Sequence, residues 1–342
     1  MVRLDSVKLS VPVEALQGSK REAFSQEIGI DSAGNQIKDN LVIKGIGAGF
    51  KTATIRQRSG EVIIEASAKI LLDDYPKLIT INTIEQAVES MNQSGVITFD
   101  VPAFIEGARV LTCDSTTNIK PSVVPKDCIE ALNLLRVNSN YDIEVYRQDQ
   151  NNGIVFRGRQ KTVKERMIFY DKLADVRKDR HLLKSVDKPL LLMNSFTGVL
   201  RVEQNHTSFR KIRDRFRIPD NRLISILNSQ ANPNFETFRR INTKYIDLSL
   251  FNDETYIDLQ WNQLVDRLGI EYIIRVHQFE PDLIRQTMAK HFSDGTNFSR
   301  QFRKVKGVMA EMLARERDFQ VADVDAGAAA ILTEIGELLR AA

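Results

Sequence analysis

Apolar and polar residues alternate along much of the first part of the chain, which is the pattern of strands that bury one face. LDSVKLSVPV alternates in this way, and LVIKGIGAGFKTATIRQR with EVIIEASAKI forms a predicted hairpin around Ser59 and Gly60. The polar stretch DSAGNQIKDN, which precedes the hairpin, is predicted to be a loop. Residues 1–75 are therefore predicted to be rich in strands.

Strands and helices then alternate up to about residue 245. TINTIEQAVESMNQSG is a predicted helix with Thr83 as its N-cap and Gly95 at its end, and a second helix is predicted over about 126–137. The further predicted strands are GARVLTCDSTTNI, GIVFRGR, ERMIFYDK and TGVLRVEQN, and the last of them is followed by the helix TSFRKIRDRFRI. This order favours an α+β fold: an antiparallel sheet with helices on one face, built from two similar ferredoxin-like halves, about 1–95 and 96–245.

The pattern changes to helices alone from about residue 253. DETYIDLQWNQLVDRLG, PDLIRQTMAKHF, TNFSRQFRKVKGVMAEMLARER and an alanine-rich tail all have helical periodicity. An Asn- and Asp-rich stretch at 243–254 is the candidate linker. We therefore predict a domain over 1–245 and a helical C-terminal module over 246–342.

Composition narrows the class of protein. The chain has 342 residues, of which 42% are hydrophobic, so it can bury cores and is not a disordered protein. Its two cysteines, Cys113 and Cys128, suggest no disulfide framework, and a reducing cytoplasm is the expected compartment. No stretch approaches the length of a membrane span, and the N-terminus lacks the pattern of a signal peptide. A membrane is therefore not an expected partner.

Positive charge is concentrated locally although the net charge is only +3. Such clusters can bind the phosphates of a nucleic acid, but charged runs are also commonly solvated faces. The charges alone leave the two interpretations open. The basic residues of these clusters that would contact DNA under the first interpretation are Arg157, Arg159, Lys161, Lys164, Arg166, Arg210, Lys211 and Arg213.

Three acidic residues lie inside predicted strands. The alternation in EVIIEASAK, VLTCDSTTNI and GVLRVEQN places Glu65, Asp114 and Glu203 opposite the apolar face, and Arg201 shares the face of Glu203. Carboxylates grouped on one surface repel each other unless a hard cation such as Mg²⁺ or Mn²⁺ lies among them. The alternative is that each acid pairs with one of the nearby arginines.

A tyrosine and a lysine occur where a strand gives way to a helix. In ERMIFYDKLADV, Tyr170 and Lys172 alternate onto the face of Ile168. A tyrosine hydroxyl is a poor nucleophile at its ordinary pKa near 10, and a nearby lysine or metal favours the phenolate. The alternative is a strand tyrosine with its ring in the core and its hydroxyl in water.

Motifs of other enzyme classes are absent from the sequence. GIGAG at 45–49 lacks the lysine and the Ser or Thr of a phosphate-binding loop. The four histidines show no metal-ligand spacing, and there is no GxSxG motif. Cofactor-dependent and serine-hydrolase chemistry is therefore not indicated.

Five segments in order resemble the replication-initiation proteins of filamentous phages, of the gene II type, and related plasmid initiators. The match covers roughly residues 1–220. The segments are a first strand LDSVKLSVP, a hairpin strand VIIEASAKIL, a strand with a central aspartate LTCDSTTNI, the strand-to-helix junction FYDKLADV, and LRVEQNHTSFRKIRDRF, a Leu-Arg-x-Glu strand that leads into a basic helix.

This resemblance implies rolling-circle replication initiation by metal-dependent, site-specific nicking of DNA. Tyr170 would be the nucleophile, Lys172 its partner, Asp114 and Glu65 metal-site acids, and Glu203 a third acid that either binds the metal or supports Arg201, a further DNA-binding residue. Mg²⁺ or Mn²⁺ would be the cofactor. The His-hydrophobe-His pair of many such nickases is absent from the sequence.

The implied partners are single-stranded DNA at the nick and the duplex origin, in the cytoplasm of a host bacterium. Host replication proteins, including a helicase, and a second copy of the chain are further candidates. Three alternatives stay open: a non-catalytic DNA-binding protein, a metal-dependent nuclease that uses water as the nucleophile, and a partner-binding role of the helical module. If Tyr170 is not the nucleophile, Tyr146 or Tyr141 is the next candidate.

Overall fold

The computed structural model describes residues 1–33, 35–135, 141–148, 151–159, 165–241, 259–277, 280–291, 295–318 and 326–342. The chain divides into two compact units. The first contains Met1–Thr243 together with Gly327–Ala342, and the second contains Lys244–Ala326. The last helix of the chain therefore belongs to the first unit.

The first unit is built on an antiparallel sheet. Within the described residues, ten strands join in the order β3-β4-β5-β6-β1-β8-β12-β11-β10-β9, and β2 pairs with β7 separately. The sheet confirms the predicted α+β class with antiparallel pairing. The strands are β1 Leu4–Pro12, β2 Leu16–Ser19, β3 Ser25–Ile30, β4 Gln36–Lys44, β5 Phe50–Arg56, β6 Glu61–Ser67, β7 Ile97–Phe99, β8 Arg109–Ile119, β9 Tyr141–Gln148, β10 Asn151–Gly158, β11 Arg166–Asp171 and β12 Leu200–His206.

Helices connect the strands and form the second unit. A 3₁₀ segment spans Ala68–Lys77, and shorter 3₁₀ turns span Val13–Ala15 and Arg21–Ala23. The helices of the first unit are α1 Ile84–Gln93, α2 Val101–Gly107, α3 Pro125–Asn133, α4 Lys172–Lys178, α5 Arg180–Ser185, α6 Pro189–Ser195, α7 Phe209–Phe216, α8 Leu223–Leu227, α9 Pro233–Ile241 and, at the end of the chain, α13 Ala326–Ala341. The second unit contains α10 Trp261–Val276, α11 Pro281–Ala289 and α12 Gly295–Asp318.

One face of the sheet is apolar and forms the core. Val7 of β1, Cys113 of β8 and His206 of β12 lie side by side in the register, so the strands share this face across the middle of the sheet. Val62 and Ile64 of β6 are buried on the same side, as the alternation predicted. Helices α1, α2, α7 and α8 contribute buried residues to the core over one half of the sheet, and α3, α9 and α13 do so over the other half. Burial of these apolar side chains is the main stabilising contribution of the fold.

The last helix completes this core. Ile335 and Leu339 of α13 are fully buried in the cluster formed by β10, β11 and α9. The amide of Asn232 donates to the carbonyl of Leu339 over 2.7 Å, and the backbone of Ser122 donates to Glu334 over 2.7 Å. Apolar packing and hydrogen bonds therefore both attach α13 to the sheet unit.

The second unit has a small core of its own. Ile274, Ile284, Val305 and Met312 are buried together. Arg267 binds Glu271 and Glu311 over 2.8 and 2.6 Å, which joins α10 to α12. Of the helices described here, none is at once long enough and apolar enough to cross a membrane.

Three local predictions differ from the structure. Residues 36–40, predicted as part of a loop, belong to β4 and pair with the edge strand β3, because backbone pairing at an edge needs no apolar side chains. Strand β9, at the other edge, has no counterpart among the predicted strands. Thr83 precedes α1, but its hydroxyl donates to the carbonyl of Leu78 rather than capping the helix.

Candidate functional site

The face opposite the core, here called the polar face, gathers the residues singled out in the sequence. On this face Asp114 of β8 lies between Ser6 of β1 and Asn205 of β12, and Tyr170 of β11 lies beside Arg201 of β12. Glu203 stands between Arg201 and Asn205 on β12, because alternate residues of a strand point the same way. The strand register alone therefore brings residues that are distant in sequence onto one surface.

Tyr170 and Glu203 are directly hydrogen-bonded. The Tyr170 hydroxyl donates to Oε1 of Glu203 over 2.6 Å, and the Tyr170 residue is 9% exposed. Burial raises the pKa of Tyr170 well above 10, and the Glu203 charge adds to the shift. Burial, with the charge of Asp5, raises the pKa of Glu203 to about 7. A phenol thus faces a base whose pKa is close to neutral pH, as general base catalysis requires.

Arg201 is a fixed cation beside this pair. Its guanidinium donates to Asp5 over 2.9 Å, to Tyr75 over 2.8 Å and to Asn118 over 2.8 Å. The rings of Tyr75 and Phe196 lie 5.1 and 5.5 Å from it, and Glu203 is 3.7 Å away. The residue is 0% exposed, so Arg201 is not part of the exposed DNA-binding surface predicted for it. Its position instead places a positive charge next to Glu203.

Lys172 approaches the same hydroxyl from the start of α4. Its ammonium donates to Asp175 over 2.6 Å and to the Tyr170 hydroxyl over 3.4 Å. Asp171 caps α4 by accepting from the backbone of Ala174, which fixes the strand-to-helix junction. Burial and the neighbouring Arg201 lower the pKa of Lys172. The predicted proximity of Lys172 to Tyr170 is confirmed.

A second tyrosine reaches the site across β10. Gly153 is paired with Tyr170 on one side and Tyr146 on the other. A Cβ atom at Gly153 would lie 2.1 Å from Cζ of Tyr146, so the Tyr146 ring occupies the space above the glycine. Burial and then the charges of Asp175 and Glu203 raise the pKa of Tyr146 to about 12. Tyr141, by contrast, is buried in the core, where its hydroxyl donates to Glu165.

The three predicted metal ligands do not form one set. Glu203 is engaged with Tyr170 and Arg201, and Glu65 is 3.8 Å from Lys51. Asp114 accepts from Asn205 over 2.5 Å, and burial raises its pKa. Among the residues that the structure describes, no three acidic, histidine or cysteine side chains are close enough to hold a metal ion together. The predicted triad therefore does not fit a shared ion.

The basic clusters fall in two places. Arg157 of β10 and Arg166 of β11 are paired with each other, and Arg166 alternates onto the same face as Tyr170, so both arginines lie on the polar face. The charge of Arg166 partly opposes the effect of burial, which raises the pKa of Asp114. The exposed pairs Arg157–Glu144 and Arg159–Asp142, at 2.9 and 2.7 Å, are of the weak surface type. Lys161 and Lys164 lie outside the described residues.

The second basic cluster is on α7. Arg210 is 3.7 Å from Asp214 and largely exposed, and Arg213 lies over the ring of Phe209. Nζ of Lys211 is buried and has no hydrogen-bond partner among the described residues. Because Ile212 and Phe216 anchor α7 in the core, this cluster belongs to the helix-covered side of the sheet rather than to the polar face.

Four site residues were not predicted from the sequence: Asp5, Tyr75, Tyr146 as a neighbour of Tyr170, and Asp175. Asp5 had one usable signal. Leu4 and Val7 are both buried in the core although they are three positions apart, so the alternation of β1 is broken between them. The break coincides with the irregularity between Leu4 and Ser6, which is where Asp5 lies. Asp175 lies three residues after Lys172 on α4 and pairs with it locally. Tyr75 and Tyr146 come into position through the tertiary fold.

Comparisons with known proteins add no relative. A scan against models of protein families finds no match to this chain, and a search of curated proteins finds none either. The candidate site therefore rests on its own geometry.

Proposed function

We propose that this chain initiates rolling-circle DNA replication by nicking one strand at a specific site and forming a covalent 5′-phosphotyrosyl link through Tyr170. The observation that carries the proposal is the 2.6 Å hydrogen bond from the Tyr170 hydroxyl to Glu203, whose pKa is raised to about 7. A nucleophile hydrogen-bonded to a base, with cations beside both, is the arrangement that covalent catalysis needs.

The proposed step uses these groups directly. Glu203 takes the phenolic proton, and the Tyr170 oxygen forms a bond to phosphorus. The bond from phosphorus to the 3′ oxygen breaks, and this oxygen takes a proton from water to become a free 3′-hydroxyl. Lys172, 3.4 Å from the hydroxyl, stabilises the phenolate and the phosphoryl oxygens, and Arg201 holds Glu203.

The polar face supports DNA as the substrate. Arg157 of β10 and Arg166 of β11, two adjacent strands, lie on the same face as Tyr170. Single-stranded DNA is bound by basic grooves combined with aromatic rings on which bases stack. On β9, the aromatic ring nearest to Tyr170 is that of Tyr146, which lies above Gly153.

Further parts of the proposal come from the resemblance. They are a requirement for Mg²⁺ or Mn²⁺, recognition of a duplex origin, a phage or plasmid replicon in a bacterial cytoplasm, and contacts with host replication proteins or a second copy. The organisation of the sheet unit as two similar ferredoxin-like halves, about 1–95 and 96–245, is also a proposal. None of these is used in the chemical step above.

The test is covalent capture. The 342-residue chain is incubated with Mn²⁺ and a pool of random single-stranded oligonucleotides labelled at the 3′ end, because the origin sequence is unknown. We expect a labelled adduct that survives denaturation in the native protein and Tyr146→Phe, and no adduct in Tyr170→Phe. An adduct in Tyr170→Phe that disappears in Tyr146→Phe would move the nucleophile to Tyr146.

A second candidate, a non-catalytic DNA-binding protein, is favoured by one observation. Tyr170 is only 9% exposed, and its hydroxyl already has a partner. Such a buried phenol is typical of a structural hydrogen bond. If DNA binding is retained but no adduct forms with any divalent ion, this second function is the correct one.

A further inference from the structure

A cleft of about 340 Å³ opens beside β1 and β6. This volume is at the lower end of the range for small-molecule pockets, about 300–1,000 Å³. Acidic and basic side chains both line the cleft, so its wall suits neither a bare cation nor a bare anion. They are Asp5, Lys51, Lys69, Asp114, Asp179 and His181. A ligand that fits this wall has to offer hydrogen-bond donors and acceptors together.

Two of the three acids are already paired within the protein. Asp179 accepts from Lys69 over 2.7 Å, and Asp5 accepts from Arg201 over 2.9 Å. Both pairs are largely shielded from water, so their charges compensate each other. Asp114 is therefore the acid of the cleft that is left for a ligand.

Asp114 and Lys51 are neighbours in the cleft but do not form an ion pair. Burial raises the pKa of Asp114, and the nearby charge of Lys51 opposes this rise. Within the described residues no basic nitrogen lies within 4.0 Å of the Asp114 carboxylate, which accepts from the amide of Asn205. The contacts of the Lys51 ammonium are long, 3.8 Å to Glu65 and 3.5 Å to the hydroxyl of Ser6. A hydrogen-bond acceptor and a donor are thus both available to a ligand.

Ser67 gives a second, independent indication. The residue is 4% exposed, and its Oγ has no hydrogen-bond partner among the described residues. Buried hydroxyls are almost always hydrogen-bonded, so an unpaired one at the wall of a cleft points to a ligand. Ser67, Ser6 and Asp114 lie side by side in the register of β6, β1 and β8, so these polar groups form one row.

Uncharged surface completes the wall. It is supplied by the loop Gly47, Ala48 and Gly49 and by Leu182. Gly49 has a φ of +80°, and a Cβ atom there would lie 2.2 Å from the backbone nitrogen of Ile70, so the loop packs directly on the 3₁₀ segment. Uncharged surface beside a row of polar groups suits a flat heterocycle, which is bound by its edge and covered on its faces.

We propose that this cleft binds the base of one guanine of single-stranded DNA, with Asp114 accepting from its adjacent N1–H and N2–H donors and Lys51 donating to its O6. Guanine is the DNA base whose Watson–Crick edge has two adjacent N–H groups beside an acceptor, and one carboxylate can accept from both. The hydroxyl of Ser67 is a further donor. DNA as the substrate class rests on the proposed function.

Asp5 connects the cleft to the proposed nucleophile. It lines the cleft and binds Arg201, which is 3.7 Å from Glu203, the residue that accepts from Tyr170. A guanine in the cleft would therefore lie close, along the strand, to the bond that Tyr170 attacks. The cleft would select the position of the nick.

The test measures, in EDTA, the affinity of the 342-residue chain for fluorescent oligo-dT strands whose central nucleotide is dT, dG or deoxyinosine. Deoxyinosine differs from dG by loss of the 2-amino group. We expect the native protein to bind the dG strand about five- to hundredfold more tightly than the dT strand, the range for one bidentate base contact, and deoxyinosine to lose most of this preference. Asp114→Asn should bind all three strands alike, with the native affinity for the dT strand as evidence that it is folded. Asp127→Asn, an exposed acid at the start of α3, is the matched control and should keep the preference.

Three outcomes overturn the proposal: equal affinity of the native protein for the three strands, a dG preference that persists in Asp114→Asn, or free dGMP that competes as well as the dG strand, which would make the cleft a nucleotide site. Adduct formation with Mn²⁺ is measured separately on the same strands. A dG preference without any adduct leaves the guanine cleft and removes the nickase. Adducts formed equally on all three strands, without a preference in affinity, do the reverse.

Discussion

The Tyr170 hydroxyl lies 2.6 Å from Glu203 and 3.4 Å from the ammonium of Lys172. The phenol is therefore placed between a proton acceptor and a cation, although the three residues come from a strand, its neighbouring strand and the first turn of a helix. Glu203 is the group on which the proposed chemistry depends most, because its protonation decides whether it can accept the phenolic proton.

The rate of adduct formation should rise with pH through about 7, the pKa of Glu203, and then level off. Glu203→Gln should lower the rate by about 10²–10⁴-fold and remove this step from the profile, because an amide cannot take the proton. Single-turnover rates between pH 5.5 and 8.5 provide the measurement. A variant that keeps the native pH profile would exclude Glu203 as the base.

Glu203 should also lower the stability of the native protein at high pH. Its pKa is raised from 4.5 to about 7 in the folded state, so the folded state binds more protons between these values. Stability from this group is therefore present below about pH 4.5 and is lost as the pH rises through about 7. Urea titrations should show Glu203→Gln gaining stability relative to the native protein between pH 5 and 8; a constant difference would contradict the raised pKa.

Asp5→Asn should cost about 3–5 kcal/mol of unfolding free energy, because it removes the charge of the nearer carboxylate from the fully buried Arg201 and leaves only Glu203, at 3.7 Å. Asp142→Asn is the matched control, since its pair with Arg159 is similarly short but exposed, and it should cost less than about 1 kcal/mol. Urea unfolding of the two variants makes the comparison. Equal effects would mean that Asp5 does not support Arg201.

Gly153→Ala should displace the Tyr146 ring, since the added Cβ would lie 2.1 Å from Cζ. The expected cost is about 1–3 kcal/mol, as for other overpacked positions. Gly18→Ala, another strand glycine with nothing within 4 Å of the added carbon, is the control. In a Tyr146→Ala background the cost of Gly153→Ala should largely vanish, and additive effects in this double-mutant cycle would disprove the contact.

Arg157→Gln and Arg166→Gln should each weaken single-stranded DNA binding and reduce the slope of log affinity against log salt by about 0.7, the value for one phosphate contact. Lys126→Gln, on a helix of the core side, should change neither quantity. Fluorescence anisotropy over a salt series measures both. Equal slopes in the native protein and all three variants would show that the polar face is not the DNA-binding surface.

Alternation in the sequence was sufficient to assign faces within single strands. It placed Glu65, Asp114 and Glu203 opposite the apolar residues, and the register confirms that these residues are on one side of the sheet. Alternation could not show how far apart the three side chains are, because that distance depends on the order in which the strands pair. Strand β1 lies between β6, which carries Glu65, and β8, which carries Asp114. Three acids on one face therefore do not make a metal site.

The proximity of Tyr170 and Lys172 was also predictable, since it is local to a strand-to-helix junction. The partners of Arg201 were not. Asp5 is 196 positions away in sequence and Tyr75 is 126 away, and both reach Arg201 only when β1 and the 3₁₀ segment fold against the strand end. A single sequence shows an arginine in a strand but not whether its charge is buried.

Helix α13 packs with the sheet although the residues just before it form another unit. In sequence, the helical unit Lys244–Ala326 is consequently an insertion with two covalent connections to the sheet unit. Truncation from the C-terminus would remove Ile335 and Leu339 from the core before it removed the inserted helices. The function of those helices is therefore to be tested by an internal excision that rejoins α9 to α13.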